Sequence, residues 1–493
     1  MNRFLRVVLF LSLTASFITA CKDKKEVAEI IPVTQKAIND STSRFFINFN
    51  SYPKEINKLP IGIFDSELSG LSVVESFLKE DAYDNITGKK VSDGIADFSG
   101  ENFIFLADKA NAPYASYYKN NKTDYLRELI VRDALFLCDN KYYNLAIDDI
   151  PTGMKSPVKI IIAASKTYSS KRLSDIKTLI SQSGVPIKLV GMVESTAEAA
   201  LDHLYDRDNY ALGVIAPSDM IASGIYENSL RNLVNKTRYT GVLQIFNQDA
   251  KGLYLAISQD SLYVNPNLKT ISDEYKGPIM GKTEVDIDPS LMDRYNFDMS
   301  NHHLLYRKLK GEYSSIQLNS PSNYARYDLV NLIETHRRSG SKTPLSHIIL
   351  GGNYYNTMLD TLNKVIEELR NYKRDGIYIY KNSIASNFSF IDPYKCVVNK
   401  CYSIMRENNY LSLNPNDSEL SFYLSVPNYG LPLEFYDKSE NLTLEYKLSR
   451  KPSSEVVSTK IVPFSNRYVE DQELNNIRDY LPYTYNYLKR ILY

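Results

Sequence analysis

The chain has 493 residues, and at about 150 residues per domain that length suggests roughly three domains. With 43% hydrophobic residues it can bury real cores, and with 58 basic against 58 acidic side chains it carries no net charge. That balance gives no support for nucleic acid or an anionic membrane surface as a partner.

Arg3 and Arg6 precede an apolar run, Val7 to Ile18, too short to span a bilayer comfortably. The run ends Ile18-Thr19-Ala20-Cys21, which resembles a bacterial lipobox. Residues 1–20 are therefore read as a lipoprotein signal peptide with Cys21 as the lipidation site. The alternative is an ordinary secretory signal with a chance cysteine. An acylated N-terminus anchors a chain without spanning the membrane. The expected location is thus the bacterial cell envelope, at the outer membrane, on its periplasmic or its surface face. No later segment approaches a transmembrane length. Residues 21–56 open with Lys22-Asp23-Lys24-Lys25-Glu26, show little periodicity, and read as a solvated tether.

From Pro60 onward, short apolar runs alternate with amphipathic stretches. The runs predict strands at 60–64, 102–106, 158–164, 187–192, 210–216, 346–351 and 387–391. The stretches predict helices at 70–79, 123–138, 171–183, 194–206, 219–235, 322–338, 355–372 and 394–408. Apolar strands separated by helices point to an α/β fold, with parallel sheets flanked by helices. Two lobes are expected, 57–208 and 209–411. The second is interrupted at about 236–320 by a long insertion with some strand content. Residues 412–493 read as a C-terminal α+β extension, with antiparallel strands at 420–426 and 442–449 and a Tyr-rich helix at 468–491. The 39 tyrosines and the absence of tryptophan are read as codon bias and aromatic-rich surfaces.

Cys138, Cys396 and Cys401 fit no zinc or redox spacing. Free buried thiols are expected, and one disulfide is the alternative. His203, His302, His303, His336 and His347 form no ligand spacing, so no metal is expected. There is no P-loop, no GxGxxG after a strand and no GxSxG elbow, and no cofactor is expected. What remains is a set of turns at strand C-termini, where open α/β sheets bind ligands. They are Asp65-Ser66, Asp108 with Pro113-Tyr114, Ser165-Lys166-Thr167, and Gly351-Gly352-Asn353-Tyr354. Taken singly, each reads as a cap or a turn.

In their joint order these turns resemble the aspartate/glutamate racemase family, glutamate racemase in particular. The family's first strand reads close to IGxFDSGxGGL, against Ile61-Gly62-Ile63-Phe64-Asp65-Ser66-Glu67-Leu68-Ser69-Gly70-Leu71. Its Asp and Pro-Tyr-Gly match Asp108 and Pro113-Tyr114-Ala115, and its Ala-Cys-Asn-Thr falls on Ala164-Ser165-Lys166-Thr167. A later GVI pattern runs from Gly213-Val214-Ile215 to Ser223 and Tyr226, and LGCTHYP falls on Leu350-Gly351-Gly352-Asn353-Tyr354-Tyr355-Asn356. Ile391-Asp392-Pro393 fits a late turn. The resemblance covers roughly 58–408 and is closest to long, exported variants.

The resemblance implies racemisation by two cysteines, one on each face of the substrate's α-carbon, since a thiol near pKa 8.5 both yields and takes a proton. Here those positions are Ser165 and Gly352. A serine hydroxyl needs a positioned base, and glycine has no side chain. Tyr354 replaces a histidine, Lys166 an asparagine, Asn353 a threonine, and Glu67 and Ser69 two glycines. Asp65, Ser66, Pro113, Tyr114 and Thr167 are kept, so a ligand pocket of altered polarity is expected. Lys166 is read as solvated, with pairing to an acidic ligand as the alternative.

Three readings follow. The first is a degenerate, catalytically inactive racemase-like lipoprotein acting by ligand binding or protein assembly. The second is an active racemase or isomerase with altered residues, Asp65, Ser165, Lys166 and Tyr354. The third is a surface protein whose insertion and C-terminal segment hold a partner. Expected partners are a small amino-acid-like ligand or an envelope protein, with the membrane met only through the lipid. The resemblance adds a homodimer.

Overall fold

The computed structural model describes residues 30–166, 170–202, 207–281, 285–412 and 418–492. Cys21, Thr167 and His203 lie outside them. Residues 30–56, read above as part of a solvated tether, are folded. Helix α1 (Pro32–Asn39) buries Val33 and Ala37 against the first lobe. Two apolar positions four apart put a stripe on one helix face, a signal too short to separate from loop by pattern alone.

In the first lobe, β1 (Ile61–Asp65), β2 (Phe103–Ala107), β3 (Ile160–Ala163) and β4 (Lys188–Gly191) run parallel. Successive side chains point to opposite faces, and both faces are covered. Ile61, Ile63, Phe103 and Phe105 enter a large core shared with the second lobe. Phe64, Ile104 and Leu106 enter an outer core. This is why the strands read as unbroken apolar runs. Helix α2 (Leu71–Lys79) covers the inner face. α3 (Tyr114–Lys119), α4 (Thr123–Cys138) and α5 (Ser170–Ser183) cover the outer one, and α6 (Met192–Leu201) leads to the second lobe.

The second lobe has β5 (Tyr210–Ala216) and β6 (Leu243–Asp249), with α7 (Ser218–Ser223) and α8 (Ile225–Val234) between them. The helix read over 219–235 breaks at Gly224, whose φ of 61° is left-handed, a conformation glycine adopts freely. β6 was expected as part of the insertion; it is instead a strand of the parallel sheet, with its half-exposed polar residues at the edge. Next come α9 (Leu253–Ile257), β7 (Ile279–Met280), α10 (Met292–Tyr295), β8 (Leu304–Leu309) and β9 (Glu312–Leu318). β7 to β9 form a small antiparallel sheet. α11 (Pro321–Arg338), β10 (Leu345–Leu350), α12 (Leu359–Asn371), β11 (Ile384–Ile391) and α13 (Pro393–Glu407) complete the lobe. Its parallel sheet has the order β11-β10-β5-β6.

The C-terminal residues do not fold apart. β12 (Leu420–Pro427) pairs parallel with β2, and β13 (Thr459–Pro463) pairs antiparallel with β12. The first sheet is therefore β13-β12-β2-β1-β3-β4. Residues 442–449, read as a strand, hold α14 (Leu444–Ser449); the Thr443 hydroxyl accepts from the Tyr446 N–H and starts the helix. The helix read over 468–491 is two, α15 (Asp471–Tyr480) and α16 (Pro482–Leu492), because Pro482 cannot continue the preceding one. A fully buried ion pair, Lys159 with Glu101, sits at the N-terminal edge of the first sheet, where Glu101 also accepts from the Ser412 N–H. The tyrosines are not chiefly surface residues: Tyr117, Tyr295, Tyr324, Tyr355, Tyr380, Tyr394 and Tyr402 are among the largest fully buried side chains.

Candidate functional site: a filled cleft between the lobes

The turns leaving β3 and β10 meet between the lobes, at the edge where α/β sheets bind ligands. Lys166 crosses the junction. Its Nζ donates to the Gly352 carbonyl at 2.6 Å, to Asn353 Oδ1 at 3.3 Å and to the Tyr394 hydroxyl at 2.9 Å. It lies 4.4 Å from the Tyr394 ring centroid. Lys166 is 6% exposed, so the expectation of a solvated side chain is overturned. A carbonyl, an amide and a phenol stand where water would solvate the amine. Burial pulls that amine down to about 7, against the opposing pull of Asp392 and Asp65.

Asp65 ends β1. It accepts from the Ser66 N–H at 2.7 Å and from the Ser69 hydroxyl at 3.2 Å, so Ser69, one of the departures from the family pattern, now holds the aspartate. Burial first, then Glu67, pushes the carboxyl up to about 7. Ser165 and Ser66 are buried beside these two groups in sequence.

Residue 352 has no room for a side chain. A Cβ at residue 352 would lie 2.1 Å from Tyr355 Cζ and 2.4 Å from two further ring atoms, and Tyr355 is fully buried. Tyr354 adopts a left-handed backbone, φ 60°, which costs a bulky residue about 1–2 kcal/mol. Its buried ring stacks 6.2 Å from Tyr254 and tilts against Tyr480 at 5.4 Å. Tyr254 comes from α9 and Tyr480 ends α15. The Tyr480 hydroxyl donates to the Ile257 carbonyl at 2.8 Å, and Gln472 donates to the Ser258 carbonyl at 3.0 Å. Glu473 pairs with Lys109 of the first lobe. α16 is seated on α2, where buried Glu75 accepts from the Thr484 N–H at 2.9 Å. The C-terminal helices thus strap both lobes together over Tyr354.

Not every expected residue is here. Tyr114 belongs to the outer core, where its hydroxyl bridges Asp108 and Asp133, and Pro113 caps the same helix. Asp65, Lys166, Asn353 and Tyr354 do gather. Tyr394, Tyr254, Tyr355 and Tyr480 were missed; the Asp392-Pro393 turn was the one sequence mark close to Tyr394. The three atoms nearest a Cβ at 352 all belong to Tyr355. Cys138, Cys396 and Cys401 are free, and burial pushes the first two up to about 12 and the third well above its ordinary value. Among the described residues, no cluster of three or more His, Cys, Asp or Glu is arranged to hold a metal.

The chain is similar to glutamate racemases. It is 26% identical over 293 residues to that of Sulfurihydrogenibium sp., a match taking in 59% of this chain and 90% of the relative. It is 25% identical over 227 residues to that of Chlorobaculum tepidum and 26% over 178 residues to that of Limosilactobacillus reuteri. These two matches span 64% and 49% of the relatives' own lengths. No family model matches. Among solved structures, a glutamate racemase isoform from Bacillus anthracis shares 14% identity, with 74% of this chain over 88% of that one and a TM-score of 0.40. The Francisella tularensis glutamate racemase in complex with D-glutamate shares 13%, with 80% over 95% and a TM-score of 0.36.

Proposed function

We propose that this chain is a catalytically silent racemase-like protein of the bacterial envelope, held through lipid on Cys21 and acting by binding rather than by turnover. One observation carries the reading. The amine of Lys166 spans the cleft between the two positions where proton carriers are needed, and the second position is glycine packed against Tyr355. Stereoinversion requires a proton carrier on each face of the carbon; here one face offers a serine and the other none. No helix among the described residues is long and apolar enough to cross a membrane.

A second reading, an active enzyme with altered residues, is favoured by Asp65 and Lys166, which both sit near 7 and feel one another's charge. Incubating the protein with L- or D-glutamate, or with either enantiomer of aspartate, in deuterium oxide and following the α-proton by NMR separates the two. The expected result is an undiminished α-proton signal. Its loss, abolished by Lys166→Met, establishes the second reading and overturns the first. The anchor is checked by metabolic labelling with a radioactive fatty acid, which Cys21→Ser should abolish.

A further inference from the structure

The outer face of the first lobe holds a cavity of about 510 Å³, within the range of small-ligand pockets. Part of its wall is α4. Segment 41–47, the stretch from Asp139 to Pro151, Asp108 with Asn111, and Val457, Thr459 and Ile461 supply the rest. Of these, segment 41–47 and Val457, Thr459 and Ile461 lie outside residues 58–408, where the racemase resemblance runs. The cavity opens on the outer-core side of the sheet, and the cleft lies on the side facing the second lobe.

Its two ends differ in charge. At one end, the guanidinium groups of exposed Arg44 and largely buried Arg132 each lie 4.6 Å from the ring centroid of Phe45. Arg132 is paired with Glu128, yet its Nε is buried without a hydrogen-bond partner. Arg44 makes no ion pair among the described residues, and partial burial beside Arg132 holds its guanidinium down to about 10. At the buried floor, Asp108 and Asp133 share the Tyr114 hydroxyl. Burial raises both carboxyls, Asp133 the more, and the neighbouring Asp108 adds to the rise at Asp133. Leu129 and Phe136 supply apolar wall.

We propose that this cavity binds a small zwitterion, its carboxylate taken by Arg44 and Arg132 and its amine by Asp108 and Asp133. Guanidinium groups bind carboxylates through paired, charge-assisted hydrogen bonds. An ammonium seated between Asp108 and Asp133 offsets the negative charge that burial disfavours there. A ligand with only one of the two charges engages only one end of the cavity. The apolar wall suits a short hydrocarbon spacer.

The test is isothermal titration calorimetry on the purified protein. The probes are straight-chain ω-amino acids from glycine to 8-aminooctanoate, with fatty acids and alkyl amines of matching length. One or two neighbouring chain lengths should bind about tenfold or more tighter than the matching acid or amine, since each 1.4 kcal/mol is tenfold. Arg44→Gln, which breaks no ion pair of the fold, should weaken that binding about tenfold. Asp133→Asn should remove the preference for zwitterion over fatty acid. No heat from any length at millimolar concentration overturns the proposal, as does a fatty acid that binds as tightly as its amino counterpart. Unchanged affinity in Arg44→Gln also overturns it, whatever the folding of the Asp133 variant.

Discussion

Replacing Lys166 by methionine asks what the closed cleft does to stability. The amine's ordinary value is 10.5 and burial brings it to about 7. That interval of about 3.5 pH units is worth roughly 5 kcal/mol at about 1.4 kcal/mol per unit. Below pH 7 the unfolded chain binds a proton that the folded chain holds only at this penalty, so the full loss of stability applies. From pH 7 to 10.5 the folded chain has given up the proton while the unfolded chain still holds it, and the cost of releasing it on folding fades as pH rises; above 10.5 it is gone. Methionine keeps the apolar stem and removes the charge, but it leaves the Gly352 carbonyl and Asn353 Oδ1 without their donor, at about 1–3 kcal/mol. The variant should therefore be more stable than the parent by about 2–4 kcal/mol at pH 6. Between pH 6 and 9.5 that advantage should shrink by about 3 kcal/mol. Lys166 also draws the Asp65 carboxyl downward. Without the amine, Asp65 keeps its proton to higher pH, which moves the difference the same way. Urea denaturation of both proteins at the two pH values, at one ionic strength, measures it. A difference that does not change with pH, or a variant less stable at pH 6, refutes the reasoning.

Two further outcomes follow from the packing. Gly352→Cys, alone or with Ser165→Cys, should not raise racemisation above that of the parent. The new Cβ meets the buried Tyr355 ring, so the single variant should lose about 1–3 kcal/mol by the crowding of a filled core, read by thermal unfolding; robust turnover in the double variant would show the cleft to be open. Glu101→Gln leaves the fully buried Lys159 without its counter-charge, and should lower stability by about 3–5 kcal/mol, read as a fall in urea midpoint; a change below about 1 kcal/mol would place the pair in an environment as polar as a surface one.

The parallel strands were legible because burial on both faces leaves a plain mark: unbroken apolar runs such as Ile160 to Ala163. Helix α4 was legible to the residue, since its long apolar-periodic stretch ends where packing ends. β6 was not, because an edge strand carrying Gln244, Asn247 and Gln248 has lost the apolar run. Residues 442–449 alternate like a strand, and only the Thr443 cap turns them into helix. At the cleft, Asp65, Lys166 and Asn353 could be placed by their turns. The tyrosines that fill it could not, because Tyr254 and Tyr480 arrive from segments far away in sequence, and no local spacing encodes such a meeting.

Strand β2 borders β12, and the contact between Asn102 and Glu419 joins residues 317 apart. During N-to-C synthesis, the backbone edge of Phe-Ile-Phe-Leu-Ala is complete long before the strand that will cover it exists. Such an edge is a template for pairing with a neighbouring chain, and closing so long a loop is slow. The β2 edge thus has no native partner on that side until residues 420–427 have been made. Pairing with residues 420–424 therefore removes a strand edge that would otherwise be open to a second chain.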